Sequence, residues 1–552
     1  MGFRRCFLVT MTGSKAIVNS LINHKVDTLF GIIATHTIDL YDSFYDVQEE
    51  IRHIGCRQEL ALGFMADGYA RVSGKPGVII TSSGPGAAGS MHCMGESYAS
   101  SSPVLQVTTD IENSLIGHGK GARHESRDQV NMFKNVTSWS TLVRDVKQIP
   151  QAFDKAMTSF QTERPRPISI IIPTDQLKAT ENIDIHPPSQ PAIIKADEQQ
   201  VDQLIKLIKK ARRPILLAGD ALSFSGGVED LVQLAEKIGC PVGLLDGAKG
   251  NFPDDHPLAV GFVMGNRHWR KNPLWELLDG CDLCVVVGST ILYRDTLGLG
   301  LRLPSPLVHI DLDDRYFNKN YPAELTIKAN PGAVIRQVID RVDSDQIYKG
   351  EAYEKEVKLW KAKALASNHE QWPNEAKSWE ALREVLPRDT VLSFDVTLSV
   401  SGANRAFQCY KPGTFINPFG WAGLGYGLPA ALGAKVARPD LPVVSISGDG
   451  GFQYNMQELG TAIQYGIHPV IIIINDNSWG ALKTRQKTWM NDRIIASELI
   501  NPDFVKLGNA YGIDSRKIYN RVDLVNAVDR AVSGNKIQLI EVVAPDGFSQ
   551  FS

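Results

Sequence analysis

The sequence predicts an α/β protein of three domains, each a parallel sheet with helices on both faces. The chain has 552 residues, too many for one hydrophobic core, and this length suggests about three domains. Apolar runs of strand length alternate with amphipathic helical stretches, a pattern typical of strand–helix–strand units. Polar, proline-rich residues 178–196 and polar, helical residues 343–372 break this pattern, and we predict that both are linkers.

The composition indicates a globular protein and excludes several classes. Hydrophobic residues make up 43% of the chain and charged residues 22%, which is ordinary for a globular fold. A net charge of −3 implies no basic face, which argues against nucleic-acid or membrane-surface binding. No apolar run reaches the roughly 18 residues that a membrane span needs. Seven cysteines, an odd number with scattered spacing, favour a reducing compartment, so we expect a cytoplasmic protein.

The most informative stretch runs from Ser447 to Gln486. In it, each of two predicted strands ends in a short polar loop, Gly448–Gly451 and Asn475–Ser478. If the strands are parallel neighbours, both loops lie at the carboxyl end of the sheet, where ligands bind in such folds. Glycines in the first loop (Gly448, Gly450 and Gly451) let the backbone approach a phosphate closely and leave N–H groups free at a helix start.

Oxygen ligands in these loops suit a divalent metal ion. Asp449 and Asp476, with the backbone carbonyl of Ser478, form a hard donor set that fits Mg²⁺ shared with phosphate groups. Alone, the first loop is an ordinary turn and the second an ordinary helix cap. Their combination on consecutive strands favours a Mg²⁺-bridged diphosphate site.

These loops resemble the signature of thiamine-diphosphate (ThDP) enzymes, in which Gly-Asp-Gly is followed after about 25 residues by Asn and then Asn or Asp. The resemblance covers almost the whole chain and is to the acetolactate synthase, pyruvate oxidase and benzaldehyde lyase group. It implies a pyrimidine-binding domain (11–177), a central Rossmann-like domain (196–342) and a diphosphate- and Mg²⁺-binding domain (373–552). Residues 1–10 precede the family's usual start, and we expect them to be a dispensable extension.

The resemblance also implies cofactors and partners. ThDP and Mg²⁺ are expected between the first and third domains of different subunits, so we expect a homodimer or homotetramer with inter-subunit active sites. Some members bind FAD in the central domain. Here FAD is possible but not favoured, because we find no G-x-G-x-x-G, and the strand-end pair Asp311 and Asp313 is more often structural.

Three side chains of the first domain are candidate catalytic residues. The helix that starts at Glu59 resembles the family's catalytic-glutamate helix, which implies that Glu59 hydrogen-bonds the aminopyrimidine and promotes loss of the proton at C2. Otherwise, a glutamate at a helix start is a dipole or capping residue. His36 matches a histidine of benzaldehyde lyase and some decarboxylases, and His124 replaces a glutamine that faces the cofactor. Both are candidate proton carriers, with ordinary loop histidines as the alternative.

Further residues of the third domain are predicted to contact the cofactor. Leu424 resembles the hydrophobic wedge that bends the cofactor, the Ala422 carbonyl would accept its 4′-amino group, and a plain core leucine is the alternative for Leu424. The full set of predicted cofactor contacts comprises Asp395, Thr397, Leu398, Ala422, Leu424, Gly448, Gly450, Gly451, Ser478 and Trp479.

The resemblance implies ThDP- and Mg²⁺-dependent decarboxylation and/or carboligation of 2-oxo acids. Acetolactate synthases carry a lysine near residues 136–138 and a tryptophan near Arg485, and both are missing here. An acyloin lyase, or a 2-oxo acid decarboxylase without carboligation, therefore stays an alternative, as does a non-catalytic ThDP-binding subunit. Arg485 and Lys483 are either ligands of a substrate carboxylate or solvated charges.

Overall fold

The computed structural model describes residues 7–263, 272–293, 296 and 298–552. It contains three six-stranded sheets, all of them parallel, and one two-stranded antiparallel sheet. The predicted α/β architecture of three helix-flanked parallel sheets is thus confirmed. None of the described helices is long and apolar enough to cross a membrane.

The first sheet belongs to the N-terminal third of the chain, and its strand order is β3-β2-β4-β5-β7-β6. The elements are β1 (Phe7–Thr12), α1 (Gly13–Asn23), β2 (Thr28–Gly31), α2 (Ile38–Tyr45), β3 (Arg52–Gly55), α3 (Glu59–Ser73), β4 (Gly77–Thr81), α4 (Pro85–Gly89), α5 (Met91–Ala99), β5 (Val104–Asp110), α6 (Gln129–Phe133), β6 (Trp139–Leu142), α7 (Ile149–Thr162), β7 (Ile168–Pro173), α8 (Thr174–Lys178) and β8 (Thr180–Ile185).

The central sheet has the order β11-β10-β9-β12-β13-β14. Two more helices, α13 and α14, follow α12 in the chain. The elements are α9 (Glu198–Lys210), β9 (Pro214–Ala218), α10 (Val228–Ile238), β10 (Val242–Leu244), β11 (Ala259–Phe262), α11 (Leu274–Asp279), β12 (Leu283–Val287), β13 (Leu307–Asp311), β14 (Leu325–Lys328), α12 (Pro331–Ile339), α13 (Ser344–Ile347) and α14 (Glu351–Gln371).

The third sheet has the order β16-β15-β17-β18-β20-β19. The elements are α15 (Pro373–Val385), β15 (Val391–Phe394), α16 (Leu398–Ala406), β16 (Phe415–Ile416), α17 (Gly427–Ala437), β17 (Val443–Gly448), α18 (Asp449–Asn455), α19 (Leu459–Tyr465), β18 (Val470–Asn475), α20 (Gly480–Trp489), α21 (Phe504–Ala510), β19 (Asp514–Ile518), α22 (Arg521–Gly534) and β20 (Gln538–Val543).

The antiparallel pair β1–β8 changes two expectations. Residues 7–10 belong to β1, which pairs with β8 along its length, so this part of the expected extension is built into the fold. The rest of that extension, residues 1–6, lies outside the described residues. Within the predicted linker 178–196, residues Thr180–Ile185 form the strand β8. A strand of a two-stranded ribbon needs apolar side chains only at alternate positions of its inner face, so its sequence can look like a polar linker. In β8, Ile183 is the buried side chain, with 1% exposure.

The first and third domains pack through α3 and α17. A Cβ atom added at Gly68 would lie 2.2 Å from the Ala430 carbonyl oxygen, and one at Gly433 would lie 1.9 Å from the Met65 carbonyl oxygen. The two helix backbones therefore touch, which only glycine permits. Beside this contact, the Tyr426 hydroxyl donates to Asp67 at 2.6 Å across the domain boundary.

The first and central domains are joined by a buried cation. The Arg164 guanidinium, 4% exposed, pairs with Asp311 at the end of β13 and with Asp220. Burial raises the pKa of Asp311, and the charge of Arg164 opposes this rise. The acidic pair considered as a ribose contact is thus engaged within the protein, since Asp313 also pairs with Arg315.

Candidate active site

A cavity of about 300 Å³ lies at the carboxyl end of the third sheet. Strands β17 and β18 pair in parallel there, with Gly448 opposite Ile474, so the two polar loops are neighbours as the spacing predicts. Nine of the ten predicted cofactor contacts line this cavity, namely Thr397, Leu398, Ala422, Leu424, Gly448, Gly450, Gly451, Ser478 and Trp479. The candidate metal ligands Asp449 and Asp476 line it as well.

Asp395, the remaining predicted contact, does not line the cavity. Its carboxylate accepts hydrogen bonds from the backbone N–H groups of Gly425 at 3.1 Å and Gly427 at 3.2 Å. Burial raises the pKa of Asp395 to about 6, and these amide donors oppose the rise. Asp395 therefore holds the loop that leads into α17, whereas its neighbours Thr397 and Leu398 face the cavity.

The glycines of this site make room for side chains. A Cβ atom at Gly450 would lie 2.4 Å from the Trp479 ring, and one at Gly480 would lie 2.2 Å from Asp476 Oδ2. A Cβ at Gly448 would meet a single neighbour, Thr397, at 3.8 Å, so this backbone opens onto free space. The cradle is thus tight around Asp476 and Trp479 and open where a diphosphate would lie.

The two aspartates form an acidic pair that favours a cation. Burial raises the pKa of Asp449 to about 6, and the charge of Asp476 adds to the rise. Burial also raises the pKa of Asp476. A divalent ion would relieve the cost of two charged carboxylates at one buried place. The Ser478 N–H and hydroxyl both donate to Asp476 Oδ1 at 2.9 Å, which orients that carboxylate.

Asn501 is a member of the site that the sequence did not indicate. Its side-chain amide donates to Asp449 at 2.6 Å, to the Asn475 side-chain oxygen at 2.9 Å and to that of Asn477 at 3.2 Å. It therefore ties both polar loops together. It lies before α21, in an Asn-Pro-Asp turn whose sequence predicts a helix cap and carries no signal of this role.

Glu59 starts α3 in the first domain, apart from the third-domain cavity. A Cβ atom at Gly86 would lie 3.6 Å from Glu59 Oε1, and one at Gly89 would lie 3.4 Å from Oε2. The half-buried carboxylate thus lies against α4, the helix that contains both glycines. Glu59, His36 and His124 are all absent from the residues that line the cavity.

The two candidate histidines meet. His36 Nδ1 and His124 Nδ1 lie 3.1 Å apart, with ring centroids at 4.6 Å. Burial lowers the pKa of His36, and the neighbouring His124 and Arg123 lower it further. The backbone oxygen of His124 would be 2.5 Å from a Cβ at Gly84, so the pair lies beside the start of α4, the helix that Glu59 contacts. Such a pair holds one proton between two nitrogens.

The two basic residues of α20 differ in surroundings. Lys483 forms an ion pair with Glu498 at 2.9 Å. Arg485 lines the cavity, and its guanidinium lies 5.6 Å from the centroid of the Trp489 ring. Of the two candidates for a substrate carboxylate, only Arg485 faces the cavity.

Comparison with known families agrees with this geometry. Three family models match the chain in order: the N-terminal TPP binding domain of thiamine pyrophosphate enzymes at residues 11–132, their central domain at 201–338, and their C-terminal TPP binding domain at 395–542. The chain belongs to the thiamine pyrophosphate enzymes. Thiamine pyrophosphate is another name for ThDP, so this protein is a ThDP-dependent enzyme of the acetolactate synthase-like type.

The names of proteins similar to this thiamine pyrophosphate enzyme indicate different activities. A probable 2-ketoarginine decarboxylase of Pseudomonas aeruginosa is 32% identical over 97% of this chain and 94% of its own. A probable acetolactate synthase large subunit of Methanocaldococcus jannaschii is 30% identical over 97% and 92%. A sulfoacetaldehyde acetyltransferase of Rhodobacter capsulatus is 28% identical over 97% and 94%.

Proposed function

We propose that the protein catalyses ThDP- and Mg²⁺-dependent decarboxylation and/or carboligation of a 2-oxo acid. The observation that carries this proposal is the third-domain cavity, where Asp449 and Asp476 adjoin an open glycine backbone. Bound ThDP would supply an electron sink for cleavage of the bond next to a carbonyl group.

The residues present fit the cofactor. Asp449, Asp476 and the Ser478 carbonyl would hold Mg²⁺, and the open backbone at Gly448 would leave room for the diphosphate. Leu424 and Ala422 would support and orient the aminopyrimidine. The donor set around the metal consists of hard oxygens, as Mg²⁺ requires.

Proton movements would fall to the first-domain residues. The Glu59 carboxyl group would exchange a proton with the aminopyrimidine. The His36–His124 pair would hold one proton at Nδ1 and deliver it to the product carbon. Burial, with His124 and Arg123 beside it, lowers the pKa of His36, which favours its neutral imidazole in this pair.

Of the two outcomes, the histidine pair favours decarboxylation to an aldehyde, because a proton donor in the site would compete with a second carbonyl substrate. The 32% identical relative named a probable 2-ketoarginine decarboxylase supports this choice. FAD is not part of the proposal, since the Asp311 carboxylate is taken by Arg164.

The geometry supports a homodimer or homotetramer with active sites between subunits. The cavity of one chain contains the diphosphate half-site, and Glu59 with the histidines forms the other half elsewhere in that chain. Exposed apolar side chains surround the cavity, as expected of a surface that a second subunit covers: Leu398, Trp421, Tyr454 and Leu482 are 44–53% exposed. The cytoplasmic location stays a prediction from the cysteine count.

Product analysis by NMR tests the proposed reaction. The protein with ThDP and Mg²⁺ is incubated with pyruvate, longer 2-oxo acids, 2-oxo acids with a distal charge, and aldehyde acceptors. We expect CO₂ and an aldehyde from at least one 2-oxo acid. Acetolactate would instead show carboligation, and cleavage of an acyloin would show a lyase. Bound ThDP with no product across the panel would contradict catalysis and favour a ThDP-binding subunit.

Subunit complementation tests the shared site. Glu59→Gln and Asp449→Asn proteins should each be inactive, and each carries its defect in a different half-site. After mixing with subunit exchange, heterodimers should contain one intact site, giving about one quarter of wild-type activity. No recovery, with heterodimers shown by mass spectrometry, would place both halves of each site in one chain.

A further inference from the structure

Glu96, on α5 of the first domain, makes an unusual set of contacts with the third domain. The residue is 0% exposed. Its Oε1 accepts from the Gly420 N–H at 2.9 Å, and its Oε2 accepts from the N–H groups of Trp421 at 2.9 Å and Ala422 at 3.0 Å. The Ser100 hydroxyl donates to Oε1 at 2.6 Å. One buried carboxylate thus binds three successive amides of another domain.

The bound segment is the beginning of the loop that carries Ala422 and Leu424. Ala422 has a φ of +56°, in the left-handed region that a residue with a Cβ atom rarely adopts. Such a conformation persists only where neighbouring contacts hold it. The two hydrogen bonds from Trp421 and Ala422 to Glu96 are contacts of this kind.

The end of the same loop is held by a second carboxylate. Asp395 accepts from the Gly425 and Gly427 N–H groups, and the Asn455 side chain donates to the Gly425 carbonyl at 2.7 Å. Ala422 and Leu424, which line the cavity, therefore lie between two anchored ends. One anchor belongs to the third domain and the other to the first.

Helix α5 packs closely on this loop. A Cβ atom at Gly95 would lie 2.6 Å from the Trp421 ring, and one at Gly423 would lie 1.8 Å from His92 Nε2. The His92 and Trp421 rings stack at 6.5 Å between centroids. The loop thus has little freedom to move against α5 as long as Glu96 holds its amides.

We propose that Glu96 is a positioning residue that sets the backbone of Gly420–Ala422 and thereby orients Ala422 and Leu424 toward the aminopyrimidine of the cofactor. The inference rests on the proposed function for the cofactor-facing role of these two residues. Glu96 itself does not line the cavity, so it acts through the loop. Because Glu96 is fixed in the first domain, it couples the packing of that domain to the position of the loop at the cofactor site.

The first test measures the loop without cofactor. In the apo protein, Glu96→Gln should raise amide hydrogen–deuterium exchange about tenfold or more at Gly420–Ala422, because an amide in place of the carboxylate weakens the charge-assisted hydrogen bonds. Residues 448–455 serve as the internal reference. Ser100→Ala, which keeps the carboxylate, should give a smaller rise at the same amides. Unchanged loop exchange in both variants would overturn the proposal.

The second test measures the cofactor. In Glu96→Gln, the dissociation constant of ThDP, followed by tryptophan fluorescence, should rise about tenfold. The rate of deuterium exchange at cofactor C2 under saturating ThDP should fall about tenfold. Tyr426→Phe is the matched control, since it removes the Tyr426–Asp67 hydrogen bond across the same domain boundary and changes neither Glu96 nor the Asp67–Arg71 ion pair.

The outcomes separate this inference from the proposed function. If wild-type protein binds no ThDP, the proposed function fails, whereas the loop measurement still stands. If Glu96→Gln loosens the loop and ThDP binding and C2 exchange match wild type, the positioning role is refuted. The same holds if Tyr426→Phe reproduces the whole effect, because general loosening of the boundary would then explain it. If the Glu96→Gln protein fails to fold, the same measurements on Ser100→Ala decide between the positioning role and a general loosening of the boundary.

Discussion

Asp449 and Glu59 show how single side chains acquire a role from their surroundings. Asp449 is 2% exposed, and burial beside Asp476 raises its pKa to about 6, so a cation is the natural partner. Glu59 is half-buried at a helix start, with its carboxylate close to Gly86 and Gly89. Both roles are local and can be tested by changes that preserve volume.

Glu59→Gln should abolish hydrogen–deuterium exchange at the cofactor C2 and leave the ThDP dissociation constant nearly unchanged. The amide keeps the size of the side chain and loses the proton that the carboxyl group exchanges. NMR of bound ThDP in deuterated buffer measures the exchange. Glu50→Gln, which alters an exposed carboxylate of the same domain, is the control, and exchange that persists in Glu59→Gln would show that another residue serves as the acid.

Asn501→Ala should weaken Mg²⁺ binding about tenfold or more, because Asp449 loses the amide that orients its carboxylate. The Mg²⁺ dependence of ThDP binding, measured by tryptophan fluorescence, gives the effect. Asn509→Ala, an exposed asparagine on the adjacent helix α21, is the matched control. Equal Mg²⁺ affinities in the two variants would remove Asn501 from the site.

The sequence predicted the parts of the site that lie within continuous motifs and missed those that depend on tertiary contact. Asp449 and Asp476 follow strands, so their meeting was foreseeable from strand order alone. Asn501 and Glu96 reach the site from an irregular turn and a distant helix, and no spacing rule brings them there. The sequence of α5 indicated neither that Glu96 is buried nor which amides it binds.

Helices α3 and α17 carry the contact between the first and third domains. Their backbones touch at Gly68 and Gly433, where a Cβ atom would lie about 2 Å from a carbonyl oxygen of the facing helix. Sequence periodicity predicts that these helices are buried, and it does not reveal which face meets which. The close approach brings Asp67 within reach of Tyr426.

Gly433→Ala should destabilise the protein by about 1–3 kcal/mol, because the new methyl group would force α3 and α17 apart. Chemical denaturation followed by circular dichroism measures the loss. Gly534→Ala at the end of α22 is the control, since its Cβ would meet no atom within 4 Å and should be neutral or slightly stabilising. A neutral Gly433→Ala would mean that the interface is looser than it looks.

Helix α15 contains a carboxylate whose burial makes stability depend on pH. Burial raises the pKa of Glu375 from 4.5 to about 7, and Arg405 opposes the rise. The folded protein therefore binds a proton that the unfolded chain releases. The stabilising contribution is present below pH 4.5 and is lost as the pH rises through about 7.

Glu375→Gln should flatten this pH dependence. Relative to wild type, the variant should gain stability as the pH rises from about 5 to about 8, in chemical denaturation at each pH. The exposed Glu384 on the same helix provides the control substitution, Glu384→Gln. Parallel pH profiles of wild type and Glu375→Gln would show that the carboxyl group is not protonated in the fold.

At the scale of the whole molecule, buried charged side chains join the three domains. Glu96 links the first domain to the third, and Arg164 links the first to the central domain. The succession of three parallel sheets along the chain could be predicted from the alternation of strands and helices. The links between them could not, because Arg164 lies 147 residues before its partner Asp311.

Arg164→Ala should destabilise the protein by about 3–5 kcal/mol, since Asp311 and Asp220 would lose their buried counter-charge. Differential scanning calorimetry should show a lower midpoint, with the first and central domains less cooperative. Arg315→Ala is the control, because that side chain is 60% exposed in its ion pair with Asp313. A midpoint equal to the control's would mean that the domains do not depend on this link.

The pairing of β1 with β8 affects how readily the protein aggregates. A chain that began at Met11 would lack most of β1, and β8 would present an unpaired row of backbone donors and acceptors. Such a row recruits the same row of another molecule and starts aggregation. Residues 7–10, which look dispensable in the sequence, therefore keep one edge of β8 paired within its own chain.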